Sequence, residues 1–153
     1  MKIEERIKEL GYELPLAPAK GGLYTPCKIF NQGNLAYVSG CGPAMKDMNY
    51  KGKLGAEVSF EEGCEAAKNC MLNVLAVLKE NLGDLDKIKS CAKMLVFVAS
   101  DNNFFNQPQV ANAATQLLID IFGEEIGSPS RSAIGVNVLP SNIAVEIELL
   151  VEI

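Results

Sequence analysis

From Ile143 the chain alternates strictly. Ile143, Val145, Ile147, Leu149, Val151 and Ile153 fall on one side; Ala144, Glu146, Glu148, Leu150 and Glu152 fall on the other. Period two over this length predicts a strand with one dry face. Just upstream, Ser132, Ile134, Val136 and Val138 alternate with Arg131, Ala133, Gly135 and Asn137, and the intervening Leu-Pro-Ser-Asn of residues 139–142 is turn chemistry. The two runs together predict a β-hairpin with Val138 opposite Ile143, so that Val136 meets Val145 and Ile134 meets Ile147. A slip of one residue would mix the apolar and polar sets. In this register Gly135 lies opposite Glu146, and Ala133 opposite Glu148. The second face then carries Arg131 and two carboxylates with small residues between them, which leaves room for a pocket. The same pattern also fits an ordinary wet face with a surface ion pair such as Arg131–Glu148, an arrangement worth little.

Upstream, the period changes. Ile3, Ile7 and Leu10 share one face of a short helix that Gly11 could end, and residues 14–22 read as a loop. Residues 28–30 and 35–39 are strand candidates around an Asn-Gln-Gly-Asn turn, and residues 39–43, Ser-Gly-Cys-Gly-Pro, break the second of them. Residues 45–56 show no period and are expected to form a long loop, mobile from its glycines and lysines and with space for one further strand. Ser59-Phe60-Glu61-Glu62 is a capping box. The helix it starts should bury Phe60, Cys64, Ala67, Met71, Val74, Leu75, Leu78 and Leu82 and stop at Gly83. Residues 88–99, dense at Met94-Leu95-Val96-Phe97-Val98, predict a central strand buried on both sides. Pro108 opens a second helix with Val110, Ala114, Leu117, Leu118 and Ile121 inward, which Gly123 and Gly127 end. The order is β-β-α-β-α-β-β, an α+β fold. Two amphipathic helices cover only one sheet face, so the other, with Leu35, Tyr37, Leu95, Phe97 and Leu150, is expected to meet another chain.

Composition narrows the chemistry. The 153 residues are 48% apolar and 22% charged, globular values for one domain. The net charge of −5, without a Lys/Arg cluster beyond Lys87, Lys89 and Lys93, argues against a nucleic-acid partner. Histidine is absent, which removes Ser-His and Cys-His nucleophile systems and the commonest metal ligand. The five cysteines form no C-x-x-C and read as reduced thiols of a cytoplasmic protein. No apolar run is long enough to span a membrane, and the acidic start, MKIEERIKEL, is not a secretory signal.

From about Gly22 to the end the sequence resembles the reactive-intermediate deaminase (Rid, or YjgF) family. The resemblance rests on the element order, Ser39-Gly40-x-x-Pro43, Asn73-Val74, Pro129-x-Arg131-Ser132, Leu139-Pro140 and Glu146-Ile147-Glu148. It implies a single domain with a chorismate-mutase-like sheet and two helices on one face; within residues 1–153 the N-terminal helix, residues 1–13, is an extension beyond the family's pattern. It further implies a homotrimer whose sheets form a barrel, with sites in the clefts between subunits. The activity implied is hydrolysis of small carboxylate-bearing enamines or imines, such as 2-aminoacrylate, to a 2-keto acid and ammonia, with no cofactor. By position, Arg131 would grip the substrate carboxylate and Glu146 would hold or activate the water. Tyr24, Ser39 and backbone groups near Gly40 and Ala133 would bind the substrate. The sequence departs from the deaminase branch, which has cysteine at the Ala133 position and glutamine at the Cys41 position. Two other readings stay open: a non-catalytic binding module for small 2-keto or amino acids and, less favoured by the acidic charge and the absent histidine, a ribonuclease.

Overall fold

The structure is a computed structural model that describes residues 2–43 and 50–153. Helix α1 (Lys2–Glu9) anchors on the domain through Ile7, which is buried, and Gly11 ends it in the left-handed region at φ 82°. Strands β1 (Cys27–Phe30) and β2 (Leu35–Cys41) form an antiparallel pair. Helix α2 (Phe60–Leu82) starts at the capping box: Ser59 Oγ accepts from the Glu62 N–H, and the Glu62 carboxylate accepts from the Ser59 N–H. It ends at Gly83, left-handed at φ 78°. Strand β3 (Ser90–Ala99), helix α3 (Gln107–Phe122), the single turn α4 (Glu124–Gly127), β4 (Ser130–Val136) and β5 (Val145–Glu152) complete the predicted order. No helix among the described residues is long and apolar enough to cross a membrane.

The sheet runs β1-β2-β5-β3-β4. The expected hairpin is therefore absent. β4 pairs parallel with β3, while β5 is antiparallel to β2 and β3 and lies between them. Arg131 stands opposite Met94 and Ala133 opposite Val96, whereas Glu146 and Glu148 oppose Phe97 and Leu95. The alternation of both strands holds, but each has a different partner from the one expected. Period two fixes which residues share a face of their own strand; it does not say which strand lies alongside. Here α3 carries the chain back over the sheet, so that β4 joins β3 by a parallel crossover.

The α2 and α3 cores pack on one face. Met71, Leu75, Leu78, Val110, Ala114 and Leu118 meet Val38, Met94, Val96, Ile147, Leu149 and Val151, all of them buried. Burial of such side chains contributes roughly 1.5–3 kcal/mol each. Three expectations change. Phe60 is 39% exposed and Cys64 only partly buried rather than inward, because both sit near the start of α2. β3 is not dry on both sides: Met94, Val96 and Val98 are buried, while Leu95 and Phe97 are only partly covered on the helix-free face. Ser39 and Gly40 do not end β2 but bulge within it. Residues 45–49 of the expected loop lie outside the described residues; beyond them Lys51 bridges to Ile143, and buried Leu54 is bound to Ala99 and Asp101 by backbone hydrogen bonds.

Candidate functional site at the β2 bulge

Val38 opposes Leu149 and Cys41 opposes Ile147, so Ser39 and Gly40 together span the place of one β5 residue. Such a bulge bends its strand and re-aims neighbouring side chains. The space it opens is a pocket of about 230 Å³ lined by Tyr24, Ser39, Gly40, Cys41, Gly42, Ile143 and Glu146, with the loop residues Pro18, Ala19, Lys20 and Gly21 and the turn residues Pro140 and Ser141 around them. The Glu146 carboxylate lies directly over Gly40. A Cβ on Gly40 would come within 2.9 Å of Glu146 Cδ and closer still to Oε1, so a side chain at this position would push the Glu146 carboxylate aside.

Each wall is fixed locally. Ser39 Oγ donates to the Thr25 carbonyl (2.7 Å) and Ser39 N–H to that of Pro26 (2.9 Å), tying the bulge to the segment before β1. Tyr24 Oη accepts from the Gly21 N–H (2.9 Å), which closes the loop at the mouth. Beneath, buried Asn73 of α2 donates from Nδ2 to the Gly42 carbonyl (2.9 Å), a bond between elements rather than within its helix. Among the described residues the Glu146 carboxylate makes no hydrogen bond or ion pair. Burial, then the neighbouring Glu148 charge, pushes its carboxyl above the usual glutamate value of 4.5. Burial, with a contribution from Glu146, pushes the Cys41 thiol up to about 12, so this cysteine is a poor nucleophile. Glu148 instead accepts from Tyr37 Oη (2.5 Å), and this bond is the main reason the Tyr37 phenol is pushed up to about 12.

Tyr24, Ser39, Gly40 and Glu146 thus converge on one pocket, while Arg131 and Ala133 do not join them within the chain. Both lie on the helix-covered face of the edge strand β4. Arg131 reaches α3: Nη1 donates to Asn112 Oδ1 (2.8 Å) and Thr115 Oγ1 (3.0 Å), and Nη2 to the Pro108 carbonyl (3.3 Å). The expected one-face Arg131/Glu146 arrangement and the Arg131–Glu148 pair both fall with the hairpin. Asn112 of α3 thus bonds the arginine rather than its own helix. Lys20 also lines the pocket, from an aperiodic Pro/Gly loop whose sequence carries no face signal. A cluster of three carboxylates within 4.8 Å of one another, Glu4, Asp84 and Asp86, does not line the pocket; Asp86 accepts the Lys2 and Ile3 N–H groups at the start of α1.

Residues 4–153 match the family model "YjgF/chorismate_mutase-like, putative endoribonuclease". The chain belongs to this family. It is 38% identical to Protein TCP17 of Trypanosoma cruzi, covering 99% of this chain and 94% of that one. The crystal structure of Atu1372 from Agrobacterium tumefaciens, a protein of unknown function, is 41% identical and superposes with a TM-score of 0.90, covering 99% and 92%. That of "a putative endoribonuclease" from Shewanella oneidensis MR-1 is 32% identical with a TM-score of 0.92, covering 99% of both chains. The YjgF-like membership and the chorismate-mutase-like fold expected from the C-terminal motifs therefore hold.

Proposed function

We propose that the protein hydrolyses small carboxylate-bearing enamines or imines to a 2-keto acid and ammonia. The observation that carries this reading is Glu146: a carboxylate in a pocket, without a partner among the described residues, and with its affinity for a proton raised by burial. An enamine tautomerises to an imine, whose carbon is already electrophilic. Glu146 takes a proton from water as the oxygen adds to that carbon and passes it to the imine nitrogen, giving a carbinolamine; its hydroxyl proton then moves to the nitrogen by the same carboxylate as the C–N bond breaks and ammonia leaves the ketone. One C=N bond and one water become one C=O bond and NH3. A general base whose proton affinity lies nearer the working pH is better matched to this task.

The substrate carboxylate would be held by Arg131 of the partner subunit. Two features support assembly. The helix-free sheet face leaves Tyr37, Leu95, Phe97 and Ile134 partly or largely exposed, and Leu23, Phe105 and Val138 stand out from the surface. In one chain Arg131 and Glu146 occupy opposite sheet faces, so a site using both needs a second copy. A homotrimer with sites between subunits meets that need, and sedimentation at micromolar concentration should find it; a monomer would leave the two residues apart. The separation within the chain also favours a second reading, a module that only binds small 2-keto or amino acids. Ammonia release from freshly generated 2-aminoacrylate separates the two. In Glu146→Gln, turnover should fall by roughly 10²–10⁴-fold while pyruvate binding, followed by calorimetry, is kept. A wild-type protein that binds pyruvate without accelerating ammonia release would support the binding module.

A further inference from the structure

We propose that Asn112 and Thr115, with the Pro108 carbonyl, form a neutral seat on α3 that orients the Arg131 guanidinium without neutralising it, leaving its charge for an anionic ligand. This rests on the reading of Arg131 as the carboxylate anchor. An arginine that merely braces two elements is commonly met by a carboxylate, which satisfies both its donors and its charge. Arg131 is met by an amide oxygen, a hydroxyl and a carbonyl. Among the described residues no carboxylate lies within ion-pair distance of it.

The donor count points the same way. A guanidinium has five N–H bonds. Two on Nη1 and one on Nη2 are engaged by α3. The remaining two are on Nε and Nη2, the adjacent pair that can grip a carboxylate in parallel. The seat also fixes where that pair points. Asn112 and Thr115 are three residues apart on one helix face, so their oxygens stack beside a single nitrogen. Asn112 and Thr115 are thus positioning residues, and the neutrality of their oxygens is the property that matters.

Asn112→Asp is the sharpest test. It keeps the shape and the acceptor, so thermal stability should be kept or raised, while its charge competes with the ligand carboxylate. Pyruvate affinity should weaken about tenfold or more, with KM for 2-aminoacrylate rising in step and kcat little changed. Asn112→Ala combined with Thr115→Val should weaken pyruvate binding by severalfold, and Thr115→Ser, which retains the hydroxyl, should not. Binding of pyruvamide, which lacks the carboxylate, should be insensitive to Asn112→Asp. Pyruvate affinity that falls in Arg131→Ala but stays at wild-type strength in Asn112→Asp would overturn the seat alone. Unchanged affinity in Arg131→Ala, or no pyruvate binding by the wild type, would overturn the anchor reading and the seat with it.

Discussion

Arg131 and Glu146 carry opposite charges, and the protein treats them in opposite ways. Arg131 is held by three hydrogen bonds from one rigid helix, on the covered face of an edge strand. Glu146 comes from the central strand, on the helix-free face, and has no partner among the described residues. Its pocket is walled mainly by loop and bulge residues. One group is oriented before any ligand arrives; the other is given space and a less polar setting. Orientation suits a group that must match a fixed shape, and partial desolvation suits one that must exchange a proton.

The comparison can be broken most severely at Gly40. Gly40→Ala places a methyl group where the Glu146 carboxylate lies. Turnover should fall by about a hundredfold or more, as for other misplaced catalytic groups, with about 1 kcal/mol or less lost from stability, because the carboxylate end of Glu146 can turn aside. Adding Glu146→Ala should restore this small loss of stability and none of the activity. Thermal melts and ammonia release on the four proteins of this cycle measure the coupling, and additive stabilities would mean the two positions do not compete for space. Arg131→Lys tests the other side. Lysine keeps the charge but cannot use three fixed acceptors and a fork together, so pyruvate affinity should fall by about ten- to a hundredfold, close to the loss in Arg131→Ala. Binding at wild-type strength in the lysine variant would mean that only charge matters there.

The smallest effect concerns pH and sharpens the account of Glu146. Its carboxyl lies above the ordinary 4.5 in the folded state, so the fold binds this proton more tightly than the unfolded chain does. Ionised Glu146 therefore costs stability above its folded value, and the cost vanishes as pH falls below about 4.5. Glu146→Gln should raise the melting temperature by about 1–2 °C near neutrality, with the difference closing on acidification through that window. A gain that instead grew toward acid would mean the carboxylate is stabilised in the fold.

Much of this was legible in the sequence. The capping box at Ser59, the Gly83 stop and the inward stripes of α2 and α3 came from local rules that act within a few residues. Tyr24, Ser39, Gly40 and Glu146 do share a pocket. The error lay in how β4 and β5 associate, because strand neighbours are decided by long-range packing that alternation does not encode. It put Arg131 on the wrong face. The same limit hid the bulge: Ser39-Gly40 reads as a strand end when only its own residues are seen, and as an interruption only beside β5. Lys20 lines the pocket beside residues distant in sequence, and Asn112 bonds Arg131 from another element; neither left a local trace.

The strand order also bears on how the molecule is made. β5 is the last of the five strands in the chain, yet it fills the middle of the sheet and joins Leu35–Cys41 to Ser90–Ala99. Its pairings with β2 span more than a hundred residues, as in Leu35 with Glu152 and Ala36 with Val151. While the ribosome is still extending the chain, β1–β2 and β3–β4 can form as two separate ribbons, each with a bare inner edge waiting for the same strand. Such edges invite pairing with other chains, and contacts this distant in sequence form slowly. The protein is therefore most exposed to chaperones, and to aggregation, in the interval before β5 emerges.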